Sequence, residues 1–311
     1  MLAEEIEIMN KRTVQIEYIN RRAKEDALGF VAECEKTYLN KILPVADKVA
    51  ADNGKTKVIL LSGPSSSGKT TTSKIFIEGL KTRGIEAVTV STDDFFVDRD
   101  KTPRNADGTF DFENVKATDM ELLKHCLFSL LADGEAIFPV YEFCTGTSKR
   151  YGKKVKLPKN GLVIVEGIHA LNPILTADER LADALKLYVC VFTNFVCKDR
   201  VLTAQELRLT RRILRDCLTR GTSPAKSIAM WRDVLKGEDL YIKPYISDAD
   251  FVIDTAHDYE PLVYRDLILP KLKDVFSEIP ANMFEDYRLF DVLPPEIIPP
   301  DSLLNEFVIR Q

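Results

Sequence analysis

The stretch Gly63-Pro64-Ser65-Ser66-Ser67-Gly68-Lys69-Thr70 narrows most sharply what this chain can fold into. It meets the Gly-x4-Gly-Lys-Thr pattern at every fixed position, follows the β-branched run Val58 to Leu61, and precedes a segment with helical spacing. Strand, glycine-rich turn and helix in that order let backbone N–H groups turn inward on a polyphosphate, while the helix points its positive end at the same place. In such a cradle the lysine, Lys69, reaches the β and γ phosphates and the Thr70 hydroxyl ligates magnesium. Gly63, Ser65, Ser66, Ser67, Gly68, Lys69, Thr70 and Thr71 are therefore the expected nucleotide contacts. No Asn-Lys-x-Asp follows the loop, which favours adenine over guanine and makes ATP with Mg2+ the expected pair. A ligand-free Gly/Ser turn is the plain structural alternative, and the flanking elements argue against it.

From Lys57 onward, short apolar runs alternate with helical patterns: Val58 to Leu61, Ala87 to Val90, Leu162 to Val165, Leu185 to Val191 and Phe251 to Ile253. Runs apolar on both faces suit strands sandwiched between helices, so the fold class is α/β, a parallel sheet flanked by helices. Residues 1–54 carry apolar side chains at helical spacing, among them Ile6, Met9, Ile16, Ile19, Tyr38 and Ile42. They are expected to form a helical N-terminal segment that Pro44 breaks or restarts, with an amphipathic face available for a homo-oligomer. The P-loop domain then covers 55–270, with an inserted β-hairpin arm at about 137–157 and a lid at about 205–240. Residues 271–311 are Pro-rich and read as a tail packed on the core.

Lys plus Arg number 43 against 48 Asp plus Glu, and the net charge of -5 gives no general attraction for nucleic acid or an anionic membrane. Any anion site must be local, and the expected partner is a small molecule. No apolar run reaches the roughly 18 residues of a membrane span, the N-terminus lacks a basic-then-apolar leader, and the six scattered cysteines form no Cys-x-x-Cys pair. A cytoplasmic location with reduced thiols is the expectation.

Two strand ends supply acids. The run ending in Ser91-Thr92-Asp93-Asp94 puts carboxylates where open α/β sheets bind ligands, and Asp93 is the candidate base for an acceptor hydroxyl, with a second role near the metal. Glu166 ends Val163-Ile164-Val165-Glu166-Gly167 and could hold magnesium directly or through water. His169 has no evident partner in the sequence and reads as structural. Arg208, Arg211, Arg212 and Arg215 recur at helical spacing before Arg220-Gly221, as a lid that stabilises a transferring phosphoryl group requires; a solvated face is the bland alternative.

These elements, in this order from about Lys57 to Leu269, resemble the uridine kinase and phosphoribulokinase family, and most closely its bacterial nucleoside kinases. The resemblance is carried by the loop, by Arg208-Leu209-Thr210-Arg211-Arg212-Ile213-Leu214-Arg215-Asp216 as a lid helix, by Pro139-Val140-Tyr141-Glu142-Phe143 as the start of the arm, and, for the bacterial nucleoside kinases, by Glu166-Gly167-Ile168-His169-Ala170-Leu171-Asn172-Pro173, Met230-Trp231, Gly237-Glu238 and the ending Ser302-Leu303-Leu304-Asn305-Glu306-Phe307. It implies a P-loop kinase fold and transfer from ATP to a nucleoside 5′-hydroxyl, with uridine or cytidine favoured. The roles it implies are Asp93 as base, Lys69, Arg212 and Arg215 at the reacting phosphate, and Arg211 and Arg220 at the donor phosphates. Glu113, Tyr141, Phe143 and Arg212 would meet the acceptor, and Thr70, Glu166 and Asp93 the metal. Two positions depart from the family pattern: Gly146 stands where a base-reading His is found in well-known members, and Thr222 where a further lid Arg is found. An acceptor that is a sugar, sugar phosphate or vitamin alcohol is the second reading, with the arm cations Lys149, Arg150, Lys153 and Lys154 as its discriminating feature. A non-catalytic ATP-binding regulator is the third.

Overall fold

The computed structural model describes residues 11–273, 275, 279 and 282–308. Strand β1 (Arg12–Gln15) leads into helix α1 (Ile16–Ala51), followed by β2 (Val58–Ser62), α2 (Lys69–Lys81), β3 (Ala87–Ser91) and α3 (Met120–Asp133). A hairpin of β4 (Glu135–Glu142) and β5 (Thr147–Lys156) precedes β6 (Leu162–Glu166), β7 (Leu185–Cys190), β8 (Thr193–Cys197) and β9 (Arg200–Leu202). Helices α4 (Ala204–Thr219) and α5 (Pro224–Tyr241), strand β10 (Phe251–Asp254) and helix α6 (Glu260–Lys273) complete the main body.

The five expected strands form one parallel sheet in the order β10-β7-β2-β6-β3. Strands β2 and β6 lie inside it and are buried at every residue, which is why their sequences are apolar on both faces. Alternate side chains feed two cores. Ile59, Leu61, Ile164 and Leu187 pack with α1, α2, α4 and α6, while Val58, Leu60, Val163 and Val165 pack with Leu123, Leu127 and Leu130 of α3 and Phe138 of the hairpin.

Two N-terminal expectations need correction. Residues 12–15 form a strand, parallel to β8, and the helix starts only at Ile16; Ile6 and Met9 lie outside the described residues. The break in α1 falls at Asp26 (φ -157°, ψ 85°), whose carboxylate accepts from Gly29 N at 2.9 Å and restarts the helix as an N-cap does. Pro44 sits within continuous helix. The apolar stripe of α1 (Phe30, Val31, Tyr38, Ile42, Val45, Val49) is buried in the chain's own core, so it does not provide the free face that an oligomer was expected to use.

The C-terminal segment runs back over the same core. Met283, Tyr287, Phe290, Leu293, Leu303, Leu304 and Phe307 are buried in it, and burying a side chain of this size contributes about 1.5–3 kcal/mol. The segment is thus part of the fold and brings Leu303 and Glu306 beside the glycine-rich loop.

Candidate active site

The parallel register sets three strand ends side by side. β2 runs into the glycine-rich turn, β3 into the turn that carries Asp93, and Glu166 at the end of β6 stands opposite both Leu61 and Ser91. In the loop Ser66 and Gly68 take positive φ (59° and 88°), the alternation that curls successive N–H groups into an anion-binding hollow. Gly63 is required by close approach, since a Cβ there would lie 2.1 Å from the Val189 carbonyl oxygen. The Ser66 and Ser67 hydroxyls are buried with no hydrogen-bond partner, which leaves donors unused around the hollow. Lys69 Nζ donates to the Gly63 and Pro64 carbonyls at 2.8 and 3.0 Å. Burial lowers its ammonium from the ordinary lysine value, against the opposing pull of Glu166 and Asp93.

Thr70 Oγ1 donates to Glu166 Oε1 at 2.8 Å, so two of the three expected metal contacts meet at one point. Hard oxygen donors so placed fit Mg2+, which takes one or two carboxylates and completes its shell with phosphate oxygens and water. Among the described residues no cluster of three or more His, Cys, Asp or Glu could hold a metal unaided. Burial raises the Glu166 carboxyl, and Lys69 works against that rise.

The two aspartates of the β3 turn diverge. Asp94 is held by Lys153 of the hairpin at 2.5 Å. Asp93 opens to the cleft yet is surrounded by protein, and this burial raises its carboxyl while Lys69 and Arg220 oppose the shift. A carboxyl raised in this way is a stronger base than a solvated one.

Helix α4 starts from a Thr203–Glu206 capping box, and its arginines separate into two sets. Arg212 Nη1 donates to Ser65 Oγ at 2.9 Å, and Arg212, Arg215 and Arg220 share Asp216 at 3.5, 3.0 and 3.4 Å. One buried carboxylate therefore orients three guanidinium groups beside the loop. Arg208 donates to the Ser65 carbonyl at 3.0 Å and pairs with Glu238, bracing the loop from below. Arg211 corrects the expectation of a donor-phosphate contact: it is fully buried, bonds Glu260 at 2.9 Å and the Thr255 carbonyl at 2.9 Å, and faces the core.

Across the cleft, Phe96, Phe110, Phe112, Tyr141 and Phe143 form one aromatic cluster, with Tyr141 between Phe96 at 5.4 Å and Phe143 at 5.0 Å. The Tyr141 hydroxyl is buried and unpartnered, whereas Phe143 is 60% exposed at the rim. Glu113 sits on a loop that Asn114 ties to Tyr241 Oη at 2.9 Å, and Gly237 makes room for it, because a Cβ there would fall 2.2 Å from Glu113 Cβ. Burial pushes the Glu113 carboxyl up to about 7, against Arg212, and its Oε2 has no partner. His169 is buried edge-on to Tyr241, and burial lowers it to about 4, so its ring is neutral.

Gly146 closes the hairpin turn at φ 74°, and a Cβ would meet the Arg99 guanidinium at 2.6 Å. No side chain fits there without displacing Arg99. Thr222 donates its backbone N–H to the Asp216 carbonyl at 3.1 Å and ends the turn after α4.

A model of the Phosphoribulokinase / Uridine kinase family matches residues 58–260. The chain belongs to this family. Like other phosphoribulokinase/uridine kinase proteins, it is an ATP-dependent phosphotransferase with an alcohol acceptor. A uridine kinase of Deinococcus deserti is 30% identical over 205 residues, covering 66% of this chain and 90% of the relative. One of Ligilactobacillus salivarius is 27% identical over 231 residues, covering 74% of this chain and 99% of the relative. Against the Saccharomyces cerevisiae uridine kinase, 25% identical over 261 residues, 82% of this chain aligns but only 46% of the yeast protein is spanned. A solved structure described as a possible uridine kinase from Bacillus stearothermophilus is 22% identical with a TM-score of 0.43, over 64% of this chain and 89% of that one. The family match leaves β1, the whole of α1 and the whole C-terminal segment outside it.

Several residues at the site have a role that no local spacing in the sequence assigns. Phe96 and Phe112 were readable only as neighbours of Asp93 and Glu113. Glu238 and Glu306 reach the loop from 30 and 235 residues away from their partners Arg208 and Thr71.

Proposed function

We propose that the protein transfers the γ-phosphoryl group of Mg-ATP to the 5′-hydroxyl of a nucleoside, uridine or cytidine before others. The observation that carries the reading is the pairing of a phosphate cradle and Asp93 with an aromatic wall that begins three residues later at Phe96 and includes Tyr141. Flat rings with one unpartnered hydroxyl suit a nucleobase, which offers a π-face and polar edges. Glu113, when ionised, can accept from two vicinal ribose hydroxyls at once.

In this reading the acceptor oxygen bonds to the γ-phosphorus, the bond from phosphorus to the β,γ-bridging oxygen breaks, and ADP leaves. Asp93 takes the acceptor proton. Lys69 exchanges two carbonyl partners for phosphate oxygens, and Arg212, Arg215 and Arg220, oriented by Asp216, stabilise charge on the transferring group. Thr70 and Glu166 would hold Mg2+, which neutralises phosphate charge when bound. A cytoplasmic location belongs to the same reading, and no helix among the described residues is long and apolar enough to cross a membrane.

The second reading is a sugar, sugar phosphate or vitamin alcohol acceptor, and its phosphorylated form calls for open cations in the arm. Of the four arm cations, Lys149, Lys153 and Lys154 are engaged by Glu142, Asp94 and Glu135 at 3.7, 2.5 and 2.6 Å, while Arg150 is exposed on β5. This favours an uncharged acceptor. The deciding experiment is a panel of nucleosides, sugars and sugar phosphates with Mg-ATP, read by ADP release. Release is expected with pyrimidine nucleosides; release with sugar phosphates and none with nucleosides would reject the proposal.

A further inference from the structure

The C-terminal segment outside the family match delivers a carboxylate to the donor side of the loop. Glu306 Oε2 accepts from Thr71 N at 3.2 Å and from Thr71 Oγ1 at 2.9 Å, in the first turn of α2. These are two of the donors that a helix following a phosphate loop turns toward an anion. The position is fixed by its neighbours. Leu303 lies against Gly68, where a Cβ would fall 2.5 Å from Leu303 Cδ1, and Ser302 Oγ pairs with Tyr259 Oη at 3.1 Å. Leu304 and Phe307, on either side of Glu306 in the chain, are buried in the core. Glu306 also adds negative charge to a hollow that already contains Asp93 and Glu166, and all three act on Lys69.

We propose that Glu306 is an autoinhibitory anion, occupying with its carboxylate the Thr71 donors that a nucleotide phosphate takes, so that donor binding must displace it. The carboxylate and a phosphate oxygen cannot both accept from the same N–H at full strength, and like charges at this spacing repel. The anchored segment keeps the competitor at high effective concentration without closing the rest of the hollow, since Ser66 and Ser67 stay unpartnered.

This inference rests on the loop being the donor site, and the test separates the two. Mg-ATP, tripolyphosphate and adenosine are titrated calorimetrically into the full chain and into Glu306→Gln and Glu306→Ala. Gln keeps the size of the side chain and Ala removes it, so at least one variant preserves the packing of residues 302–308. Removing the competing charge is expected to tighten Mg-ATP and tripolyphosphate by about tenfold or more, the scale of a charge-assisted hydrogen bond, and to leave adenosine unchanged. Equal or weaker phosphate binding by both variants, with the unsubstituted chain binding normally, overturns the role of Glu306 and spares the donor site. Absence of Mg-ATP binding in all three proteins overturns both.

Discussion

The donor and acceptor sides of the cleft are built by different means. The donor side is a contiguous loop whose chemistry comes from backbone N–H groups, two positive-φ residues and three adjacent strand ends. The opposite side is assembled from side chains on four separate segments, around Phe96, Phe112, Tyr141 and Tyr241, and holds the Tyr141 hydroxyl and Glu113 Oε2 unpartnered in an aromatic setting. Backbone geometry of the first kind binds any polyphosphate tail and leaves little to vary. Under the proposed function selectivity resides in the second, where each orphaned polar atom would penalise an acceptor that fails to match it.

Substitutions that sharpen this contrast differ in size. Asp93→Asn, at the seam between the two sides, is expected to lower turnover by about 10²–10⁴ while Mg-ATP affinity stays within about threefold. ADP-release kinetics with parallel calorimetry checks this, and near-full turnover would remove Asp93 from its role. The two arginine sets of α4 should separate next. Arg212→Ala is expected to reduce turnover by about 10²-fold with little change in melting temperature. Arg211→Ala strands the buried Glu260, and should cost about 3–5 kcal/mol in denaturant unfolding while turnover per folded molecule holds. If both variants behave alike, the division of that helix is wrong.

The acceptor side makes a pH prediction. In the free protein Glu113 titrates near 7, so it is mostly protonated at pH 6 and mostly ionised at pH 8. In the proposed reading acceptor hydroxyls donate to the ionised form, so binding is expected to strengthen as pH rises through this value. KM for the nucleoside should fall about tenfold from pH 6 to pH 8, and Glu113→Gln should flatten that part of the profile. The smallest effect is expected from Tyr141→Phe, which removes one hydroxyl and keeps the ring: a rise in nucleoside KM of about two- to tenfold, with kcat unchanged. An equal rise for a sugar acceptor would mean that Tyr141 does not read a base.

What was legible in the sequence follows the same division. The five strands of the parallel sheet stood out because each is a short apolar run, most clearly β2 and β6, which are buried at every residue, and the loop because its glycines, lysine and threonine have fixed spacing. β1, β8 and β9 are three to five residues long and are fixed by distant partners, such as Arg12 with Asp258, so no local period marks them. Arg211 and Arg212 are consecutive and point about 100° apart on a helix. Spacing alone could not tell which of them turns inward, because the deciding partner, Glu260, lies 49 residues further along the chain. The break in α1 fell to Asp26 for a similar reason: a side-chain cap that restarts a helix leaves a weaker sequence mark than a proline does.

Phosphorus NMR of the full chain incubated with Mg-ATP and uridine or cytidine tests the central claim most directly. The account predicts a new phosphomonoester resonance, split by the two protons of a 5′-methylene, growing in step with ADP. ATP breakdown to inorganic phosphate at a rate indifferent to the nucleoside, with no such ester, would contradict it.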